Sequence, residues 1–124
     1  MTIIEAINRT DNLKQNSYTN EDKIAWLSKL DWMIKRHIID THEGGEAVVF
    51  NGYDESTDLK TELMAPAPYD EMYVMWLEAQ IDLANAEYDG YNASITLFNT
   101  EYDAFECYYN RNHMHKSAGK RFLF

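Results

Sequence analysis

Residues 69–111 read YDEMYVMWLEAQIDLANAEYDGYNASITLFNTEYDAFECYYNR, and the fold of the whole chain turns on this stretch. Its apolar positions Val74, Leu77, Ile81, Ala84, Tyr88, Tyr91, Ile95, Phe98, Tyr102, Phe105 and Tyr109 alternate in steps of three and four, which is one helical seam. One step along, Glu71, Met75, Glu78, Asp82, Asn85, Asp89, Asn92, Thr96, Asn99, Asp103, Glu106 and Asn110 keep the same alternation, and all but Met75 are polar. An apolar row beside an acidic and amide row predicts one long C-terminal helix. Gly90 is its weak point, because glycine costs roughly 0.5 to 1 kcal/mol in a helix and suits a C-terminal cap. Asp89-Gly90-Tyr91-Asn92 can therefore be a tight turn between two helices. The phase crosses Gly90 without a slip, which favours a helix that is continuous or kinked there. Such a rod would span roughly 60 Å at 1.5 Å per residue. A compact domain of this size has a diameter on the order of 30 to 35 Å, so the rod would have to project or pack on other chains.

The rest of the chain supports a mainly α single domain, divided into N-terminal helices (1–40), an acidic loop or hairpin arm (41–68), the long helix (69–111) and a basic tail (112–124). Thr2 with Glu5 has capping-box spacing, and Ile3, Ile4 and Ile7 predict a short amphipathic helix ending near Leu13. Thr19 or Asn20 caps a second helix running to about Asp40. Its main face carries Ile24, Leu27, Leu30, Ile34 and Ile38, widened by Trp26, Met33 and His37. Trp32 and Ile39 fall on the far side and suggest a second contact surface. Gly44-Gly45 ends this helix, Ala47-Val48-Val49-Phe50 is a strand signal, and Asn51-Gly52 is a hairpin turn signal. The acid-rich segment from Asp40 to Pro68 therefore predicts an interaction arm with a small hairpin.

Charge is unevenly placed. The net charge is -10, yet all 21 acids precede Arg111, where the chain has seven Lys and Arg; the last fourteen residues hold four basic residues and no acid. The body is thus near -14 and the tail near +4, which argues against nucleic-acid binding by the body and for a tail that seeks an acidic surface. Arg111, Lys120, Arg121, Phe122 and Phe124 make that tail a candidate docking peptide. One cysteine, Cys107, excludes an internal disulfide. Met1–Glu5 has no basic leader, and no apolar run approaches the roughly 18 residues of a membrane span, so a soluble protein made in the cytoplasm is expected.

No constellation supports an enzyme. His113 and His115 near Cys107 lack the further ligands and the spacing of a zinc site. His37 reads as a core histidine and His42 as part of a capped turn. Asp54, Glu55 and Asp58 lack the glycine and glutamate of a calcium loop. Paired carboxylates in the acidic row need a cleft before they do acid–base work. No catalytic residue, metal or cofactor is expected.

Several strings resemble a known family: Trp26-Leu27-Ser28-Lys29-Leu30-Asp31, Ile39-Asp40-Thr41-His42-Glu43-Gly44, Pro66-Ala67-Pro68-Tyr69-Asp70-Glu71-Met72-Tyr73, Trp76-Leu77-Glu78-Ala79-Gln80-Ile81-Asp82, Tyr91-Asn92, Phe98-Asn99 and Tyr108-Tyr109-Asn110-Arg111-Asn112-His113-Met114. Together they resemble the head–tail connector proteins, also called adaptor or head-completion proteins, of tailed phages and prophages. The resemblance implies a virion protein of the neck that forms a ring of about twelve copies. Its partners would be other copies of itself, the portal protein and the tail or stopper proteins, with double-stranded DNA passing through without specific binding. On that view Glu71, Glu78, Asp82 and Asp89 are candidates to face the DNA channel, because carboxylates repel phosphates. Trp32, Ile39, Arg111 and the tail residues are candidates for subunit or partner contacts. An acidic DNA-mimic inhibitor, or another small helical interaction protein, is the alternative.

Overall fold

The computed structural model describes residues 1–116; the expected docking residues Lys120, Arg121, Phe122 and Phe124 lie outside them. The chain is mainly helical: α1 (Ile3–Leu13), α2 (Asn20–His37), α3 (Glu71–Ala84) and α4 (Tyr88–Asn112), with 3-10 turns at Ile39–Thr41 and Gly45–Ala47. Both expected N-caps form. Thr2 Oγ1 accepts from the Glu5 backbone N–H at 3.2 Å, and Thr19 Oγ1 accepts from that of Asp22 at 3.2 Å.

The expected rod is overturned: the chain reverses at Asn85-Ala86-Glu87, and α4 returns along α3. The Asn85 and Ala86 N–H groups donate to Ile81 and Leu83, Ala86 takes a left-handed φ of 58°, and the Glu87 N–H donates to the Asp82 carbonyl at 2.8 Å. Gly90 is neither kink nor turn, since it sits in the first turn of α4. Its missing side chain serves packing instead, because a Cβ there would stand 2.9 Å from Asp82 Oδ2. The seam keeps its sequence spacing across the break because three turn residues replace nearly one helical turn, but Ala84 and Tyr88 at the break are exposed and the partly buried face resumes at Tyr91.

α3 is the central element. Met72, Tyr73, Trp76 and Leu77 are buried with Ile3, Ala6 and Ile7 of α1, Ile24, Leu27, Leu30, Ile34 and Ile38 of α2, and Phe98 and Phe105 of α4. Trp76 meets Phe98 at 5.1 Å between ring centres, and Tyr69, just before α3, meets Phe105 at 5.9 Å. The apolar face of the C-terminal half of α4, which outruns α3, is thus met at Phe105 by its own chain.

The expected hairpin is absent, as the described residues pair only at the isolated bridges Thr2 with Glu62 and His42 with His115. A strand at 47–50 had only the polar run after Tyr53 to pair with. Residues 50–53 instead lie against α2, and residues 59–63 run beside Met1–Ile4, whose Ile3 and Ile4 N–H groups donate to the Thr61 and Leu59 carbonyls at 3.0 and 2.9 Å. Phe50 packs edge-on against Trp32 at 4.8 Å, and the Tyr53 N–H donates to Ser28 Oγ at 3.0 Å. Gly52 has the positive φ (85°) its turn signal implied, but the angle brings backbone within reach of Trp32 and Ser28.

Candidate functional site

Several polar groups are built into the bundle, among them those of Asp31, His42 and Asp82. In the first, Asp31 stands on the apolar seam of α2, four residues after Leu27 and three before Ile34, and is fully buried. It has no cation. Its carboxylate accepts from Tyr73 Oη at 2.6 Å, from Tyr53 Oη at 2.5 Å and from the Met64 N–H at 3.2 Å, while Tyr73 Oη also accepts from the Ala65 N–H at 2.7 Å. Burial pushes the Asp31 carboxyl above its ordinary value although these donors pull the other way. Burial and the neighbouring Asp31 charge raise both tyrosines, so they stay protonated and keep donating. The cluster pins the middle segment to α2 and α3.

The second group centres on His42, which is buried where α2 ends. Its Nδ1 lies 2.5 Å from the Ile38 carbonyl oxygen, and its Nε2 lies 2.7 Å from Asn110 Oδ1. Tyr109 packs edge-on at 4.8 Å, and the His115 ring lies 5.1 Å away. Backbone bonds from Glu43 to the Met114 carbonyl (2.8 Å) and from Lys116 to that of Thr41 (2.9 Å) fasten the chain after α4.

The third group is Asp82 with Lys14, paired at 2.6 Å, the carboxylate being fully buried. Hydrogen bonding to Asp82 raises the Lys14 ammonium, with Glu78 and Glu87 adding to the effect. Burial raises the Glu78 carboxyl. Asp82 Oδ2 has no hydrogen-bond partner among the described residues.

The residues expected to form a solvent-facing acidic row therefore separate. Glu71 pairs with Arg9 at 2.7 Å, Glu78 is half-buried, Asp82 faces inward, and Asp89 is exposed on α4. The α3 part of the row faces α1 because a folded-back α4 leaves α3 in the middle; the α4 part (Asp89, Asn92, Thr96, Asn99, Asp103, Asn110) is exposed. Trp32 and Ile39 do not form a free second surface. Trp32 is half-buried between Phe50 and the Arg36 guanidinium, 5.0 Å from its ring centre, and Ile39 is in the core. Arg111 is exposed in the last turn of α4. His37, expected in the core, is exposed, and Cys107 is an exposed thiol. Among the described residues no group of His, Cys, Asp or Glu is arranged to hold a metal ion, and no helix is long and apolar enough to cross a membrane.

The roles of Asp31 and His42 were not foreseen. An acid on a core seam is the one signal that marks Asp31, whereas the His42–Asn110 pair joins residues 68 apart in sequence. No family model, curated protein or solved structure matches this chain.

Proposed function

We propose that the chain is a structural subunit of a tailed-phage or prophage head–tail connector, assembling with copies of itself between portal and tail around the path of the DNA. The observation that carries this beyond the family likeness is the outward face of α4. From Tyr69 to Asn110 the chain has nine acids and no Lys or Arg, and Asp89, Asn92, Thr96, Asn99 and Asp103 are exposed. Phosphate binding runs on Lys and Arg, so duplex DNA would slide past such a face without sticking. Asp82 takes no part, being inside the subunit. Because the fold completes itself, assembly would use finished surfaces instead of a shared rod.

Co-expression with a portal protein followed by imaging of the complex tests this. The expected result is a ring of this chain on the portal with α4 toward the channel. A ring with Asp89 and Asp103 on its outer wall, or no association with any portal, would overturn it.

The self-contained bundle also suits the second reading, an acidic DNA mimic acting as a monomer or dimer. That protein would compete with DNA for a DNA-processing enzyme and ignore the portal.

A further inference from the structure

The molecule has two chemically different ends. The Lys14–Asp82 pair and the bond from Tyr18 Oη to Asn85 Oδ1 (2.6 Å) bring the end of α1, the approach to α2 and the α3–α4 turn together. Large apolar side chains are uncovered there: Leu13, Leu83 and Tyr88 are 68%, 45% and 62% exposed. A shallow depression of about 430 Å³ is lined by Ala86, Glu87, Tyr88, Asp89 and Gly90. Asp82 Oδ2, buried and unpartnered among the described residues, lies behind Gly90. The nearby cations are committed, Lys14 to Asp82 and Lys23 to Asp11 at 2.8 Å. Glu87 and Asp89 thus leave the turn apolar and net negative. At the far end of α4 the chain carries Arg111 and Lys116, the latter paired with Glu46 at 3.3 Å, and the sequence continues to Lys120-Arg121-Phe122-Leu123-Phe124.

We infer that the α3–α4 turn is a docking surface for the C-terminal segment Lys120–Phe124 of a second copy. Phe122 and Phe124 would cover Leu83 and Tyr88, while Lys120 and Arg121 would face Glu87 and Asp89. Reach decides which copy supplies the segment. Lys116 is tied to Thr41 beside the C-terminal end of α4, and from Asn110 back to Tyr88 that helix measures about 33 Å. Six extended residues carry Phe122 only about 20 Å beyond Lys116 and eight carry Phe124 about 27 Å, so a chain cannot lay both rings on its own turn. The contact is head-to-tail, and copies joined by it either close into a ring or extend as a filament. It does not rest on the connector assignment.

The test titrates the isotope-labelled full chain with an unlabelled peptide of residues 117–124, followed by amide NMR. Saturable shifts concentrated at residues 83–90 are expected. The Glu87→Lys/Asp89→Lys variant should bind at least tenfold more weakly, and a peptide carrying Lys120→Glu and Arg121→Glu should regain affinity for that variant. Residues 87 and 89 are exposed, so folding should survive; circular dichroism checks it, and Tyr88→Ala serves as a charge-neutral second variant. No saturable shift up to millimolar peptide, shifts centred elsewhere, or equal affinity for the charge-reversed variant would each overturn the inference, whether or not a portal is ever found to bind.

Discussion

α3 and α4 share one apolar seam yet live in different surroundings. α3 buries eight of its 14 residues and touches α1, α2 and α4, whereas α4 buries Ser94, Phe98 and Phe105 out of 25. The same periodicity thus served a helix enclosed by its neighbours and a helix laid along one side of them. A seam reports that one face is covered; how much of the remaining circumference is free depends on position in the bundle. In α3 even the polar row is used, with Glu71 paired to Arg9 and Asp82 to Lys14, while in α4 that row from Asp89 to Asp103 meets solvent.

The sharpest way to break this contrast is to cut the two helices equally. Leu77→Ala in α3 should cost about 3 to 4 kcal/mol, because it empties a fully buried site, whereas Leu97→Ala on the outer face of α4 should stay within about 0.5 kcal/mol. Urea unfolding of both variants reads the difference, and similar losses would mean that α4 is covered as α3 is. Next, Lys14→Met strands the buried Asp82 carboxylate and should cost about 2 to 3 kcal/mol, part of it returning in a double variant with Asp82→Asn. Full additivity of the two changes would show that the pair is not coupled.

Smaller still is Gly90→Ala. The gain in helix propensity opposes the approach of the new Cβ to Asp82 Oδ2, and a net loss of about 1 kcal/mol is expected. If the variant is more stable, α4 packs less closely on α3 at the turn. Last comes a change in slope. Asp31 holds its proton more tightly folded than unfolded, so its contribution to stability falls as pH climbs from about 4 to its folded value, by at most about 1.4 kcal/mol per pH unit. The Asp31→Asn variant should lack that fall, which shows as the difference between the two pH profiles of urea unfolding. Parallel profiles would mean that the carboxyl is not desolvated.

Local signals were legible in the sequence, and distant partners were not. Thr2 and Thr19 could be read as caps because a cap is satisfied within three residues. The core face of α2 followed from its own spacing. Trp32 read as free because what covers it, Phe50, is fixed by the path of a segment with no periodicity. His37 and His42 show the same limit: His37 lay beside an apolar face and is exposed, while His42 read as part of a turn and became the buried partner of Asn110.

By itself the sequence determined that the chain is helical, where its first two helices begin, which of their faces are apolar, and that its acids precede its basic end. Only the tertiary structure decided that the long seam breaks at Ala86 and closes on itself, that Asp31 and Asp82 are interior, and that residues 50–53 cover Trp32. The physical reason is that hydrophobic periodicity is a property of one helix and its sequence spacing survives a turn of nearly one helical repeat. Whether an apolar face is met by the same chain or another depends on contacts between residues far apart in sequence, which no local pattern encodes.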